Sequence, residues 1–300
     1  MDIRTDLAVE AASMCGENIL GLESEITEEK GVKVERIRIK TKEAAEEIGK
    51  PVGNYITITV DDLSDNDKED YEKICLQLAK ELKEILNLSE KDPVLTVGLG
   101  NEGITADSIG PKCVKKLLVT RHIKEIMPEE IDESVRSVSA ISPSVMALTG
   151  IETGDIIKGV TKMINPALVI AIDALAARSM TRLGRTIQIA DTGINPGSGV
   201  GNNRKELSKE TLGVRVIAIG VPMVVDAKTI VYDSIELTGK GEENYHEIYR
   251  KLDNTQTDMV VTPKDVDSLS ERCARIIANG INLALQSALD ENDIDRYIEI

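Results

Sequence analysis

A chain of 300 residues is long enough for one large domain or two small ones, and its 52 acidic against 36 basic side chains leave a net charge of −16. That balance repels nucleic acid overall, and with no Phe, no Trp and six Tyr the chain all but lacks the aromatic platforms on which single strands stack. Four cysteines without a CxxC pair argue against a zinc site and a disulfide framework, the acidic N-terminus has no signal-peptide core, and no apolar run approaches a membrane span, so the expectation is a cytoplasmic protein with reduced thiols, no nucleic-acid binding and no membrane.

In chain order, residues 1–30 are mixed, with a short helix around Leu7–Met14 followed by polar, Glu-rich sequence. Val34–Lys40 and Tyr55–Val60 alternate apolar and polar residues and read as an antiparallel pair at a sheet edge. Residues 65–87 carry Ile74, Leu78, Leu82, Ile85 and Leu86 at helical spacing. The β-branched run Val94–Leu99 is a buried strand that breaks at Gly98, Gly100 and Gly103 and delivers Asp107 at or near the next helix start, where Pro111 suits an early turn. Val135–Ile141 reads as a strand and residues 149–163 contain a helix burying Ile156, Ile157 and Val160. Leu168–Ile172 is a second apolar strand ending in an acid, Asp173, before a short Ala-rich helix.

Thr186–Ala190 is a strand leading to Asp191 and a glycine-rich loop over 191–203. Val214–Ile219 is a strand stopped by Gly220 and Pro222, with a helix from about Met223 to Ile235 and a polar excursion over 237–258. Thr262-Pro263 opens a helix over 263–289, whose apolar face (Val266, Leu269, Cys273, Ile276, Ile277, Ile281, Leu285) is one candidate for an oligomer contact. Strands alternating with helices predict the α/β class: one domain with a mostly parallel sheet, flanked by helices on both faces.

In such a sheet ligands gather at the carboxyl ends of strands, so Asp107 and Asp173 are expected to share one crevice. Two carboxylates held together cannot both ionise easily; one keeps a proton to donate to a carbonyl oxygen while the other draws a proton from water, which is peptide hydrolysis without a covalent intermediate. Each Asp is equally readable as a helix cap at a strand end, and carboxylates also bind divalent metals. Asp191 is a third acid of the same kind. GxSxG and HExxH are absent, and His122 and His246 stand in no catalytic pattern. Gly98, Gly100 and Gly103 match a dinucleotide fingerprint but lack its second acid-ending strand, and the 192–203 glycines lack the GK[ST] of a P-loop.

Several long segments carry a resemblance: Arg4–Glu10 (RTDLAVE), Val97–Asn101 (VGLGN), Ala106–Pro111 (ADSIGP), Leu117–His122 (LLVTRH), Leu148–Thr153 (LTGIET), Ile170–Arg178 (IAIDALAAR), Asp191–Ile194 (DTGI) and Pro196–Asn202 (PGSGVGN). Through them the sequence resembles the germination protease (spore protease) family of spore-forming bacteria over nearly its whole length. The resemblance implies a fold like that of hydrogenase maturation proteases (phosphorylase/hydrolase-like). It also implies a zymogen that processes itself and, as a homotetramer in the spore core, starts degradation of small acid-soluble spore proteins during germination. Asp107 and Asp173 match the family's two catalytic aspartates, and no metal or cofactor is implied; Asp191, Gly98, Gly100 and Asn101 are candidates for a supporting role, with Asp191 readable as a helper, a structural cap or a substrate contact. The family cuts after Glu or Asp, before a hydrophobic residue followed by Ala. Asp6-Leu7-Ala8 fits that rule, so self-cleavage is expected between Asp6 and Leu7, making 1–6 a propeptide and 7–300 a single α/β protease domain.

Two other functions stay open on the residues. One is a metal-assisted peptidase related to hydrogenase maturation proteases, in which the same acids hold an ion. The other is a non-enzymatic nucleotide- or phosphate-binding regulator using Gly98–Gly103 and Gly193–Gly201.

Overall fold

The structure, a computed structural model, describes residues 5–16, 19–29, 31–61, 63, 68–197, 204–237, 251, 259–287, 289 and 294. The described elements run α1 (Ala8–Cys15), β1 (Leu22–Glu29), β2 (Val32–Ile39), α2 (Lys42–Ile48), β3 (Gly53–Thr59), α3 (Lys68–Leu86), β4 (Val94–Gly98), α4 (Ile109–Val114), α5 (Arg121–Ile126), β5 (Val138–Ile141), α6 (Met146–Thr149) and α7 (Thr153–Ile164). They continue with β6 (Leu168–Ala177), β7 (Thr186–Ala190), α8 (Lys209–Leu212), β8 (Arg215–Asp226), α9 (Ala227–Leu237), β9 (Val260–Val261) and α10 (Val266–Leu285). The α/β class is as expected, and helices cover both faces of one sheet of order β1-β2-β3-β7-β8-β6-β4-β5, with β9 on β8.

The sheet is mixed. Strands β5, β4, β6 and β8 run parallel, while β7, β3, β2 and β1 continue it in antiparallel pairs. The expected β2–β3 pair exists, but it is not the edge: the Glu-rich β1 lies outside it, paired residue for residue from Leu22↔Ile39 to Glu29↔Val32.

Two expected breaks are absent. Strand β6 does not end at Asp173, and Ala174–Ala177 are extended rather than helical. Strand β8 runs through Gly220 and Pro222 to Asp226, so the helix expected from Met223 starts at Ala227. The two strands pair from Leu168↔Arg215 to Ala177↔Val225, and this ladder overrides the helix preference of alanine. Pro222, which cannot donate to a ladder, sits beside the bulge where the register skips Met223.

One face of the sheet (Ile170, Ile172, Ile187, Ile189, Ile217, Ile219) packs under α3, α4 and α10 in a single aliphatic core. The apolar face of α10 is therefore interior, with Leu269, Cys273, Ile276, Ile277, Ile281 and Leu285 all buried, and is not the free surface considered for an oligomer. Its N-cap is Asp265 rather than Thr262. The opposite face carries two separate clusters. One gathers α1 and α2 over Ile37, Ile39, Tyr55, Leu175 and Ala190; the other gathers α7 and α8 over Leu95, Val97, Val169 and Ala171. His122 lies in α5, and His246 falls outside the described residues.

Helix α4 approaches the end of β4 through bare backbone. A Cβ on Gly98 would stand 2.2 Å from the Gly110 carbonyl oxygen, and one on Gly110 would stand 2.2 Å from the Leu99 oxygen and 2.7 Å from the Ile172 oxygen. Neither neighbour can rotate away, because both are main chain. Gly110→Ala is therefore expected to cost about 3 kcal/mol in denaturant unfolding, at the upper end for overpacking. Gly159→Ala on α7, where a new Cβ meets nothing within 4 Å, should instead gain ~0.5–1 kcal/mol from helix propensity.

Candidate active site

Strand β4 stops pairing at Gly98↔Ile172, while β6 and β8 run on together. The chain leaves β4 through α4 toward β5 on one side and returns through α7 to β6 on the other, so the strand order reverses between β4 and β6. That is the position at which open α/β sheets bind their ligands. Asp107 stands in the turn after β4, and Asp173 on β6 is the first residue past the end of β4.

The Asp107 turn explains the glycines before it. Gly100 has φ +106° and no room for a Cβ, which would lie 2.1 Å from the Asp107 carbonyl oxygen. The Asn101 N–H donates both to that oxygen (3.0 Å) and to the Asp107 carboxylate Oδ2 (2.9 Å). The Asn101 side chain closes the loop by accepting from the Gly103 N–H at 2.9 Å. Gly98, Gly100 and Asn101 thus shape the turn that presents Asp107, and Gly103 completes it.

Asp173 lies on the two-cluster face, between Ala171 of one apolar cluster and Leu175 of the other, and is only 5 % exposed. Its Oδ1 accepts from the Ala174 N–H at 2.9 Å. Burial, then the negative charges of Asp107 and Asp6, hold its proton affinity well above the usual carboxylate range, against that one hydrogen bond. Burial also raises Asp107, which is half-exposed, with the Asn101 N–H opposing. Both carboxyls are thus shifted toward their protonated forms, the more buried Asp173 more strongly.

Both acids line a cavity of about 360 Å³ that also contains Asp6, Ile104, Met146, Arg204 and Met259. It meets a second cavity of about 420 Å³ at Asp6, Asp173, Leu175 and Gly197.

The N-terminal segment occupies the junction. Asp6 pairs with Ala176 of β6 in both directions: its N–H donates to the Ala176 oxygen (2.9 Å), and its Oδ2 accepts from the Ala176 N–H (2.8 Å). Leu7 and Ala8 are fully buried under the sheet. The buried Glu10 accepts from the N–H groups of Arg178 (2.7 Å) and Ser179 (2.9 Å), fixing the start of α1 to the end of β6. Lys50 donates to the Thr5 oxygen at 2.9 Å, and burial lowers its proton affinity while Asp6 and Glu10 oppose.

Asp191 does not join the pair. Its carboxylate accepts from the Asn54 backbone N–H (2.8 Å) and side-chain amide (2.6 Å), tying β7 to β3. Residues 198–203 of the glycine-rich loop lie outside the described residues. Among the described residues no group of three or more His, Cys, Asp and Glu has metal-binding geometry, and no helix is long and apolar enough to cross a membrane. The residue missed in the sequence is Gln188 on β7, which bonds to both Asp6 and Ala8; a lone glutamine in an apolar strand carries no motif.

The elevated Asp173 has a thermodynamic sign. The native state holds this proton more tightly than the unfolded chain, so stability is greatest below the unfolded pKa of about 4 and declines as pH rises toward the native value. The decline is ~1.4 kcal/mol for each tenfold gain in proton affinity. Asp173→Asn keeps an acceptor for the Ala174 N–H and loses the penalty. It should melt above the wild type at pH 7, with the gap closing toward pH ~4, in a calorimetric series across that range.

Comparison with known proteins gives one consistent result. The family model described as germination protease matches residues 4–252. The germination protease of Clostridium tetani is 42% identical, covering 99% of this chain and 100% of that one. That of Clostridium acetobutylicum is 44% identical with 99% of each covered, and that of Priestia megaterium 41% identical with 98% and 96% covered. Among solved structures, the [NiFe] hydrogenase maturation protease HycI from Thermococcus kodakarensis aligns with 67% of this chain and 98% of its own at 18% identity and a TM-score of 0.34. The chain belongs to the germination protease family and is a peptidase.

Proposed function

We propose that the chain is a self-processing endopeptidase that starts the breakdown of small acid-soluble spore proteins, using Asp107 and Asp173 as a base and acid pair. The observation that carries the reading is the shared crevice. Two carboxyls from different elements meet at the strand-order reversal, with an acidic residue, Asp6, docked beside them and followed by the buried Leu7 and Ala8.

In this mechanism Asp107, nearer to solvent, is ionised and takes a proton from water as the water oxygen bonds to the peptide carbon. Asp173, which keeps its proton through burial and like charge, donates to the carbonyl oxygen. Collapse of the tetrahedral species breaks the C–N bond; the leaving nitrogen takes the proton that Asp107 received from water, and the carbonyl oxygen returns its proton to Asp173.

The cleavage rule of an acid, a hydrophobic residue and Ala is satisfied at Asp6-Leu7-Ala8, so residues 1–6 form a propeptide and 7–300 the protease domain. The Ala176 N–H that holds the Asp6 carboxylate is a reader for the acid in that rule. The resemblance adds a homotetramer in the spore core.

The test is hydrolysis of a small acid-soluble spore protein by wild type, Asp107→Asn and Asp173→Asn, with and without chelator, together with the N-terminal mass of each aged protein. Both variants should be folded, lose at least ~100-fold in rate, as expected when an acid–base group is removed, and keep Met1 to Asp6. The wild type should start at Leu7 and ignore the chelator. Near-normal rates in either variant would make that Asp a structural cap, and chelator sensitivity would move the same acids into a metal-assisted reaction.

A further inference from the structure

We propose that Gln188 is a third catalytic residue for the cut between Asp6 and Leu7: its amide N–H holds the scissile carbonyl and stabilises the oxyanion formed there. The inference rests on the reading of Asp6–Leu7 as a bond cut by the Asp107–Asp173 pair.

Gln188 is buried, 7 % exposed, in the middle of β7. The ladders place it opposite Gly220 on β8, and Gly220 opposite Asp173 on β6. Directly paired residues point to the same face, so Gln188 and Asp173 face one trough from strands two steps, or ~10 Å, apart. Gly220 between them carries no side chain, and the Leu175 side chain lies over it, where a Cβ would stand 2.5 Å from Leu175 Cγ. Asp6 lies in the cavity that both line.

The contacts of Gln188 bracket the bond. Its Nε2 donates to the Asp6 carbonyl oxygen at 3.0 Å, and its Oε1 accepts from the Ala8 N–H at 2.7 Å. The orientation of the amide is dictated by these partners, since the flipped form would set oxygen against oxygen and N–H against N–H.

An anchor for α1 would need only the Ala8 contact. The second hydrogen bond goes to the atom that becomes negative during hydrolysis. When the water oxygen bonds to the Asp6 carbonyl carbon and its proton passes to the ionised carboxylate, the C=O electron pair moves onto that oxygen. There the Gln188 N–H meets it alongside the proton of the second carboxyl. Breaking the C–N bond returns the pair to the carbonyl, the Leu7 nitrogen takes the proton held by the first carboxylate, and the products are a carboxyl on Asp6 and an amine on Leu7. A preset donor on a buried oxyanion is worth ~10²–10³ in rate.

The experiment follows self-cleavage by intact mass in full-length Gln188→Glu and Gln188→Met, with Ala8 amide exchange and melting recorded in parallel. The carboxylate of Gln188→Glu can still accept from Ala8 but, when ionised, cannot donate to the carbonyl. This variant should cut ~10²–10³-fold slower than wild type at neutral pH with Ala8 still protected, and the deficit should shrink at low pH as the introduced carboxylate takes up a proton and regains a donor. Gln188→Met, similar in length and without a donor, should be slow at every pH.

Wild-type cutting rates in folded Gln188→Glu with Ala8 protected would overturn the role. So would slowing that only tracks loss of Ala8 protection, since Gln188 would then be an anchor alone. Asp107→Asn uncut beside a normally cut Gln188→Glu would leave the two-carboxyl reading standing and this one fallen. Normal cutting in Asp107→Asn and Asp173→Asn would overturn both.

Discussion

A carboxyl group buried in the middle of a strand, with two other acids close enough to raise its proton affinity, is the constraint on which the rest of this site depends. Among the described residues, the Ala174 N–H is the one hydrogen-bond donor that steadies the ionised form of Asp173. Apolar clusters on either side remove the solvent that would otherwise screen it. The fold has to offset that burial elsewhere, and the aliphatic core under α3, α4 and α10 supplies the stability. What results is a carboxyl whose protonated form is favoured, in a cavity that Asp107 also lines.

The geometry that brings Asp107 to Asp173 is set by main chain rather than by side chains. Gly98 and Gly110 let α4 touch the end of β4, and the reversed φ at Gly100 turns the chain so that Asn101 can hold the carboxylate of Asp107. At Gly98, Gly100 and Gly110 any side chain would run into main-chain atoms, so only glycine permits these approaches. The N-terminal segment adds a second layer. Asp6, Ala8 and Glu10 are tied to β6, β7 and the turn after β6 by hydrogen bonds to Ala176, Gln188, Arg178 and Ser179, so the bond beside Asp6 is docked into the crevice by the same strands that form it.

The two acids were legible in the sequence because an ionisable residue at the end of a β-branched apolar run is costly unless the fold uses it. Asp191 carries the same signal and serves β3 instead, so the pattern alone did not separate a site from a cap. Strand β1 was missed for a physical reason: it is an edge held by its ladder to β2, seven of its eight residues are exposed, and no apolar alternation marks it. The lengths of β6 and β8 were misread because Ala, Gly and Pro are local signals, while a ten-pair ladder and a bulge are long-range. Gln188 was invisible for the same reason, since its placement opposite Gly220, and through it opposite Asp173, depends on register across three strands.

The central claim is that Asp107 and Asp173 act as one coupled pair, and carboxyl-carbon NMR titration of Asp173 in wild type and Asp107→Asn measures that coupling. Asp173 should titrate well above the ordinary carboxylate range in the wild type. It should move down, yet stay elevated by burial, once the Asp107 charge is gone. An Asp173 that titrates in the ordinary range, or that is indifferent to Asp107→Asn, would contradict the pair.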